Sequence, residues 1–208
     1  MAPQTQTLIK DGSVSEIIAH PKSIVDENGV QHPRSIFTIW TKEERLSLGI
    51  YDVIMAPKFD NKYYISHNPT YAVVGDNVVE SIEKAGDIKL EDEDAVDEDG
   101  NFFLDINGNQ VINRGLKSNT IQKIKSQQAS YLAQTDWAII RKSDNGTEIP
   151  ANIQTYRDAI RVKAEEMETA VTNCTTMDNF IALNTSTHNE DGTVNTLAIL
   201  NDWPQLGE

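Results

Sequence analysis

A chain of 208 residues accommodates one ordinary domain or two small ones. Its formal net charge of -14 excludes a general nucleic-acid binder, because phosphate would be repelled, and an apolar share of 38% implies a folded chain with much exposed or partner-facing surface. No run approaches the ~20 apolar residues needed to cross a bilayer. A single cysteine, Cys174, excludes an intrachain disulfide and a thiolate metal cluster.

The opening residues, "MAPQTQTLIK", lack the charged start and apolar stretch of a secretory leader, so a protein made and kept inside the cell is expected. Residues 1–86 read as a small, antiparallel β-rich domain with one short helix. Asn28-Gly29 lies between "SIV" and Val30 and is expected to close a type I′ hairpin, which needs positive φ at both central positions. Ile36, Phe37, Ile39 and Trp40 read as the end of a buried strand. Thr41 and Glu44 then fit a capping box that opens the short helix, and Gly49 suits the left-handed position that stops it. Three β-rich runs follow, "IYDVIMAP", "KYYISHNP" and "TYAVVGDNVVES", divided by Pro57, Pro69 and Gly75.

The composition breaks at "EDEDAVDED", residues 91–99, where seven of nine residues are carboxylates. Self-repulsion should hold this run extended and solvated, so residues 87–115 read as an acidic linker plus a second hairpin at Asn107-Gly108. The charge then reverses, with Arg114, Lys117, Lys123 and Lys125 and no acid between Asp105 and Asp136. A helical domain is expected over residues 116–184. Its first helix runs from about Asn119 to Ala133 with Ile121, Ile124, Tyr131 and Leu132 on one stripe. Trp137, Ile139 and Ile140 read as a short apolar link that packs Trp137 onto the seam beside Tyr156 and Ile160. The second helix begins at Pro150, and its apolar residues Ile153, Tyr156, Ile160, Ala164, Met167 and Val171 follow the 3.6-residue period of a one-faced helix. Arg157 and Arg161 are expected on the opposite face, free for a partner. A shorter helix near Met177 to Leu183 and a tail, residues 185–208, with a turn at Asp191-Gly192 and a closing Trp203-Pro204 complete the chain. The fold class is therefore α+β, a β-rich N-terminal domain followed by a helical hairpin.

No constellation singles out an enzyme. His20, His32, His67 and His188 are scattered, Cys174 has no histidine nearby, and neither a phosphate-binding glycine loop nor a nucleophile elbow occurs. With 32 acids in the chain, the presence of two carboxylates is no argument for a glycosidase. Asp105, Asn107 and Asn109 alternate as calcium ligands do, yet Gln110 stands where the sharp-turn glycine belongs and Leu116 where the bidentate acid belongs. They form at most a weak calcium candidate. No metal and no cofactor are expected.

The stretch "LAQTDWAIIRK", followed by Pro150 and then Tyr156-Arg157, resembles the C-terminal region of tailed-phage tail proteins of the tail assembly chaperone or tail-fibre assembly type. The residues that carry this resemblance are Leu132, Thr135, Asp136, Trp137, Pro150, Tyr156 and Arg157, with Trp203-Pro204 as a common ending; it covers about residues 117–171, roughly a quarter of the chain. "HPRSIFTIWTKEERLSLGIYDV", with its exit at Gly49-Ile50-Tyr51, is similar to small N-terminal modules of phage tail and fibre-associated proteins. The acidic run and the residues after Asn184 have no counterpart in that pattern. The resemblance implies a non-enzymatic protein that binds phage tail or tail-fibre proteins, in the host cytoplasm during assembly or in the virion tail, with association into homo-oligomers open. The implied contact residues are Trp137, Arg141, Tyr156, Arg157, Arg161 and Trp203. A phage-borne glycoside or cell-wall hydrolase and a calcium-dependent binding module are the alternatives.

Overall fold

The computed structural model describes residues 5–26 and 28–207. The fold is α+β, with a β-rich N-terminal part and the long helices in the C-terminal half. The chain divides into two compact units, residues 1–86 and 87–208.

The first unit opens with strands β1 (Gln6–Lys10) and β2 (Ser13–Ile18), joined by Asp11-Gly12. Both turn residues have positive φ, +50° and +72°, so this is the type I′ hairpin of the unit. The short strands β3 (Ile24–Val25) and β4 (Gln31–His32) form the expected hairpin at Asn28-Gly29, but by a different turn. Among the described residues of the turn only Gly29 is left-handed, the Gly29 N–H donates to the Asp26 carbonyl, and the Asp26 N–H donates to the Val30 carbonyl. With Asn28 outside the left-handed region, that is a longer turn closed at a left-handed glycine, not the two-residue type I′ turn. The Asp26 carboxylate selects it by accepting from the N–H groups of Asn28 and Val30, each at 2.9 Å.

Residues 36–40 correct the reading of a strand end. They form helix α1 (Ile36–Ile39), followed by α2 (Lys42–Ser47), so the described residues of the unit form two short helices. The capping box of α2 is present: Glu44 N–H donates to Thr41 Oγ1 at 3.2 Å, and Thr41 N–H donates to Glu44 Oε2 at 2.8 Å. Gly49 ends α2 at φ +76°, and a Cβ there would fall 2.6 Å from the Ile9 carbonyl oxygen, so conformation and space both demand glycine.

Strand β5 (Ile50–Ile54) pairs with β1. β6 (Tyr64–Ser66), β7 (Thr70–Val74), β8 (Asn77–Ser81) and β9 (Lys84–Asp87) follow. The main sheet has the order β2-β1-β5-β8-β7, and β6 pairs with β9 in a separate two-stranded ladder. One pair, β5 with β8, is parallel, against the expectation of a wholly antiparallel sheet. Alternation along β1 sends Leu8 and Ile9 to opposite faces. Leu8 joins Ile18, Ile24, Ile36 and Ile50 beneath Phe37, Trp40 and Leu48, while Ile9 joins Val53 and Val78 on the other side.

The second unit begins with the acidic run, which is not a linker. β10 (Glu93–Asp94) pairs with β11 (Ile112–Asn113), and between them two short hairpins complete a three-armed leaf. The octads "AVDEDGNF" and "FLDINGNQ", from Ala95 and from Phe103, build the two hairpins with the same turn as Asp26. At the junction, Ala95 N–H donates to Val111 O, Phe103 N–H to Ala95 O, and Val111 N–H to Phe103 O, at 2.8–2.9 Å. Residues eight apart thus satisfy one another in a ring.

The leaf leads directly into α3 (Leu116–Ala133). The first N–H groups of a helix lack intrahelical partners. Here Leu116 and Lys117 donate to the carbonyls of Lys89 and Leu90, and Gly115 donates to Asp92 Oδ1 at 2.8 Å. A Cβ on Gly115 would lie 2.3 Å from the Glu91 carbonyl oxygen, so the approach requires glycine. Then come α4 (Asp136–Asn145), α5 (Ala151–Thr172) and α6 (Met177–Asn184). α5 lies along α3, and its six predicted stripe residues are all buried. Strands β12 (Thr187–His188) and β13 (Val194–Thr196) form a hairpin at Asp191-Gly192, again with only the glycine left-handed. Residues 198–203 fold back onto the helices, with Ala198, Leu200 and Trp203 buried.

Candidate protein-binding face

The residues of the T-D-W and Y-R motifs divide into two groups with opposite surroundings. Arg157 lies on α5 between Ile153 and Ile160 and is only 7% exposed, which overturns its expected place on a free face. Its Nη1 donates to the Leu132 carbonyl at the end of α3, to Thr135 Oγ1 and to Asp136 Oδ1, each at 2.8 Å. Thr135 is fully buried, and its hydroxyl donates in turn to the Leu132 carbonyl at 3.0 Å. One guanidinium therefore ties the exit of α3 and the entry of α4 to the second turn of α5. Asp136 also stands in the first turn of α4, where a negative charge suits the helix dipole.

The second group faces solvent. Residues 136–145 are a helix rather than an apolar link, and Ala138 is the residue α4 buries. Trp137 is 48% exposed, so it does not fill the seam beside Tyr156 and Ile160. Trp137, Ile140 and Arg141 fall at i, i+3 and i+4 and share one face of α4. Ile140 is 65% exposed, and the Arg141 guanidinium sits 5.0 Å from the centroid of the Trp137 ring, within cation–π range. Gly146, at φ +74°, stops the helix with its N–H on the Lys142 carbonyl. The result is a short helix whose base is fixed by a buried arginine and whose outer face offers an aromatic, an aliphatic and a cation.

The other predicted contact residues are placed as follows. Tyr156 is buried in the α5 stripe, and burial raises its phenol pKa. Arg161 is exposed but paired with Asp158 at 2.9 Å on its own helix. Trp203 is a core residue, 7% exposed, with its ring centroid 5.1 Å from that of Tyr131. Lys163 and Asp202 pair at 2.8 Å beside it. Of the six residues expected to meet a partner, Trp137 is exposed with the half-buried Arg141 beside it, and the exposed Ile140 joins them although its sequence context had placed it in a link.

The calcium candidates belong to a turn. Asp105 Oδ1 accepts from the N–H groups of Asn107 and Asn109, and Oδ2 accepts from the Asn109 amide at 3.1 Å. These N–H donors hold the carboxyl pKa below its ordinary value and occupy the oxygens a cation would need. Asp97 makes the same bonds to Asp99 and Asn101 one octad earlier. Among the described residues, no group of three or more His, Cys, Asp or Glu side chains is placed to hold a metal ion, and no helix is long and apolar enough to cross a membrane.

No protein-family model matches the chain, and comparisons with curated proteins and with solved structures return no match.

Proposed function

We propose that this chain is a non-enzymatic bacteriophage tail protein, an assembly factor or a tail, fibre or baseplate component, that acts through protein–protein contacts. The observation that carries the reading is the division of labour within the motif residues. The buried Arg157 guanidinium bonds Leu132, Thr135 and Asp136, and Trp137, Ile140 and the half-buried Arg141 are left on the outer face of α4. Tryptophan and arginine are the side chains over-represented among residues that dominate binding energy, and a helix fixed at its base loses little freedom on binding. The partners in this reading are phage tail or tail-fibre proteins, met in the host cytoplasm during assembly.

The test is co-expression with the tail and fibre proteins of the encoding phage, followed by co-purification. The chain carries its partner through purification when wild type, and Trp137→Ala with Ile140→Ser loses it while keeping the helical spectrum. Equal recovery of the partner by the double variant refutes the α4 face as the contact.

A further inference from the structure

The three-armed leaf of residues 93–113 has no core of its own. Alternation places Val96, Phe102, Leu104 and Ile112 on one of its faces, since Val96 bridges to Phe102, Leu104 to Gln110 and Ile112 to Asp94. These four side chains are between 45% and 62% exposed, Phe103 on the reverse face is half exposed, and Ile106 at a turn tip is fully so. From those fractions the four side chains of the one face leave roughly 400 Å² of apolar-residue surface in water, the size of the largest patch on a typical monomer, which is often a contact surface. The leaf is also strongly charged: from Leu90 to Asn113 there are eight acids and no base.

Charge decides what can cover it. Two leaves face to face would set carboxylates against carboxylates. The opposite sign lies on α3, where no acid occurs between Asp105 and Asp136. Along α3 runs a shallow groove with Ile121 and Ala129 as apolar lining and Arg114 and Lys125 as cations, with Asp92 at its end. Neither cation is held by a buried acid: Arg114 bonds the Gln122 amide, and Lys125 stands 62% exposed beside Glu168.

We propose that the leaf of one chain docks on the α3 groove of a second copy, and that the exchange is reciprocal, giving a two-fold dimer. Phe102 and Leu104 enter toward Ile121 and Ala129, and Glu98 and Asp99 meet Arg114 and Lys125. Two such contacts related by a two-fold axis bury about 1,200–2,000 Å² or more in total, the range of a specific interface. Attraction between exposed charges is screened by salt, so the dimer weakens as ionic strength rises.

Sedimentation velocity of the full chain at ~50 μM in 0.05 M and 0.5 M NaCl tests this. The expected species at low salt has twice the 23.2 kDa chain mass. Phe102→Ser with Leu104→Ser abolishes it with the helical circular dichroism retained. Arg114→Glu with Lys125→Glu weakens it at least about tenfold, and adding Glu98→Lys with Asp99→Lys to that variant restores it, which no unfolded variant could do. A monomer at low salt, a dimer that survives the Phe102 and Leu104 changes, or a charge-reversed pair that fails to recover overturns the proposal.

Discussion

Replacing Arg157 by methionine separates a buried tie from a partner contact. The side chain is 8% exposed and donates from one nitrogen to three acceptors on two other helical ends. Methionine keeps most of the volume and the apolar contacts of the stem, so the change reports mainly on the hydrogen bonds. Charge-assisted bonds contribute about 1.5–3 kcal/mol in favourable settings. Two features lower the figure here. Asp136 is 53% exposed and regains water when the arginine is gone, so its share is discounted for screening. The Leu132 carbonyl also keeps the donors of Thr135. The expected loss is therefore about 2 kcal/mol, with Arg157→Lys recovering only part, because an ammonium cannot span the same fork. Urea unfolding followed at 222 nm reads this loss, since most of the helix lies in residues 116–184. A stability within about 0.5 kcal/mol of wild type would refute the tie and return Arg157 to the surface role its charge implies.

Trp137→Ala should change stability by no more than about 0.5 kcal/mol, whereas Trp203→Ala should cost about 3 kcal/mol, and the same unfolding measurement distinguishes them. Excising residues 91–99 should lower the melting temperature of the helical signal, because Asp92, Glu91 and the arm they begin hold the start of α3; an unchanged melt would show the run to be a linker after all. Hydrogen bonds to N–H groups hold the Asp97 and Asp105 carboxyls below their ordinary value of 3.8. A depressed folded pKa means that the stabilisation is present above the unfolded value and is lost as pH falls through the folded one. Relative to the intrinsic exchange rate at each pH, protection of the Asn101 and Asn109 amides should therefore fall only below about pH 4, and a loss of protection already near pH 6 would contradict the turn geometry. Millimolar calcium or chelator should leave the melting temperature unchanged, and a calcium-induced rise would show that the Asp105 turn opens to take a cation.

What the sequence made legible followed from spacing and from capping chemistry. The α5 stripe, the Thr41–Glu44 box and the Gly49 stop are local patterns with single physical readings, and each is where it was expected. Arg157 was missed because its charge outweighed its position: it lies four residues after Ile153 and three before Ile160, on the buried arc of the same helix. Trp137 was misplaced for the converse reason, a large apolar side chain being assigned to the core when Ala138 is the residue that α4 buries. The frame of α4 was written in Thr135-Asp136 at its start and Gly146 at its stop, but its ten residues lie between two longer helices. The turns show how one dipeptide serves two geometries. Asp11-Gly12 joins its strands directly and takes positive φ twice, while an aspartate two residues before Asn28-Gly29 or Asn107-Gly108 captures the backbone and leaves only the glycine left-handed. The octad repeat of the leaf was visible in "DEDGN" and "DINGN", but the density of carboxylates read as repulsion, and the ring of backbone bonds among Ala95, Phe103 and Val111 joins residues that no local pattern connects.

The most direct test of the tail-protein reading is quantitative mass spectrometry of purified mature particles, paired with affinity capture of the chain from infected lysate. The chain is expected with tail or fibre protein, at fixed copy number in the particle if it is a building block or in lysate complexes alone if it is an assembly factor. Absence from the particles together with no tail or fibre protein in the captured material would contradict it.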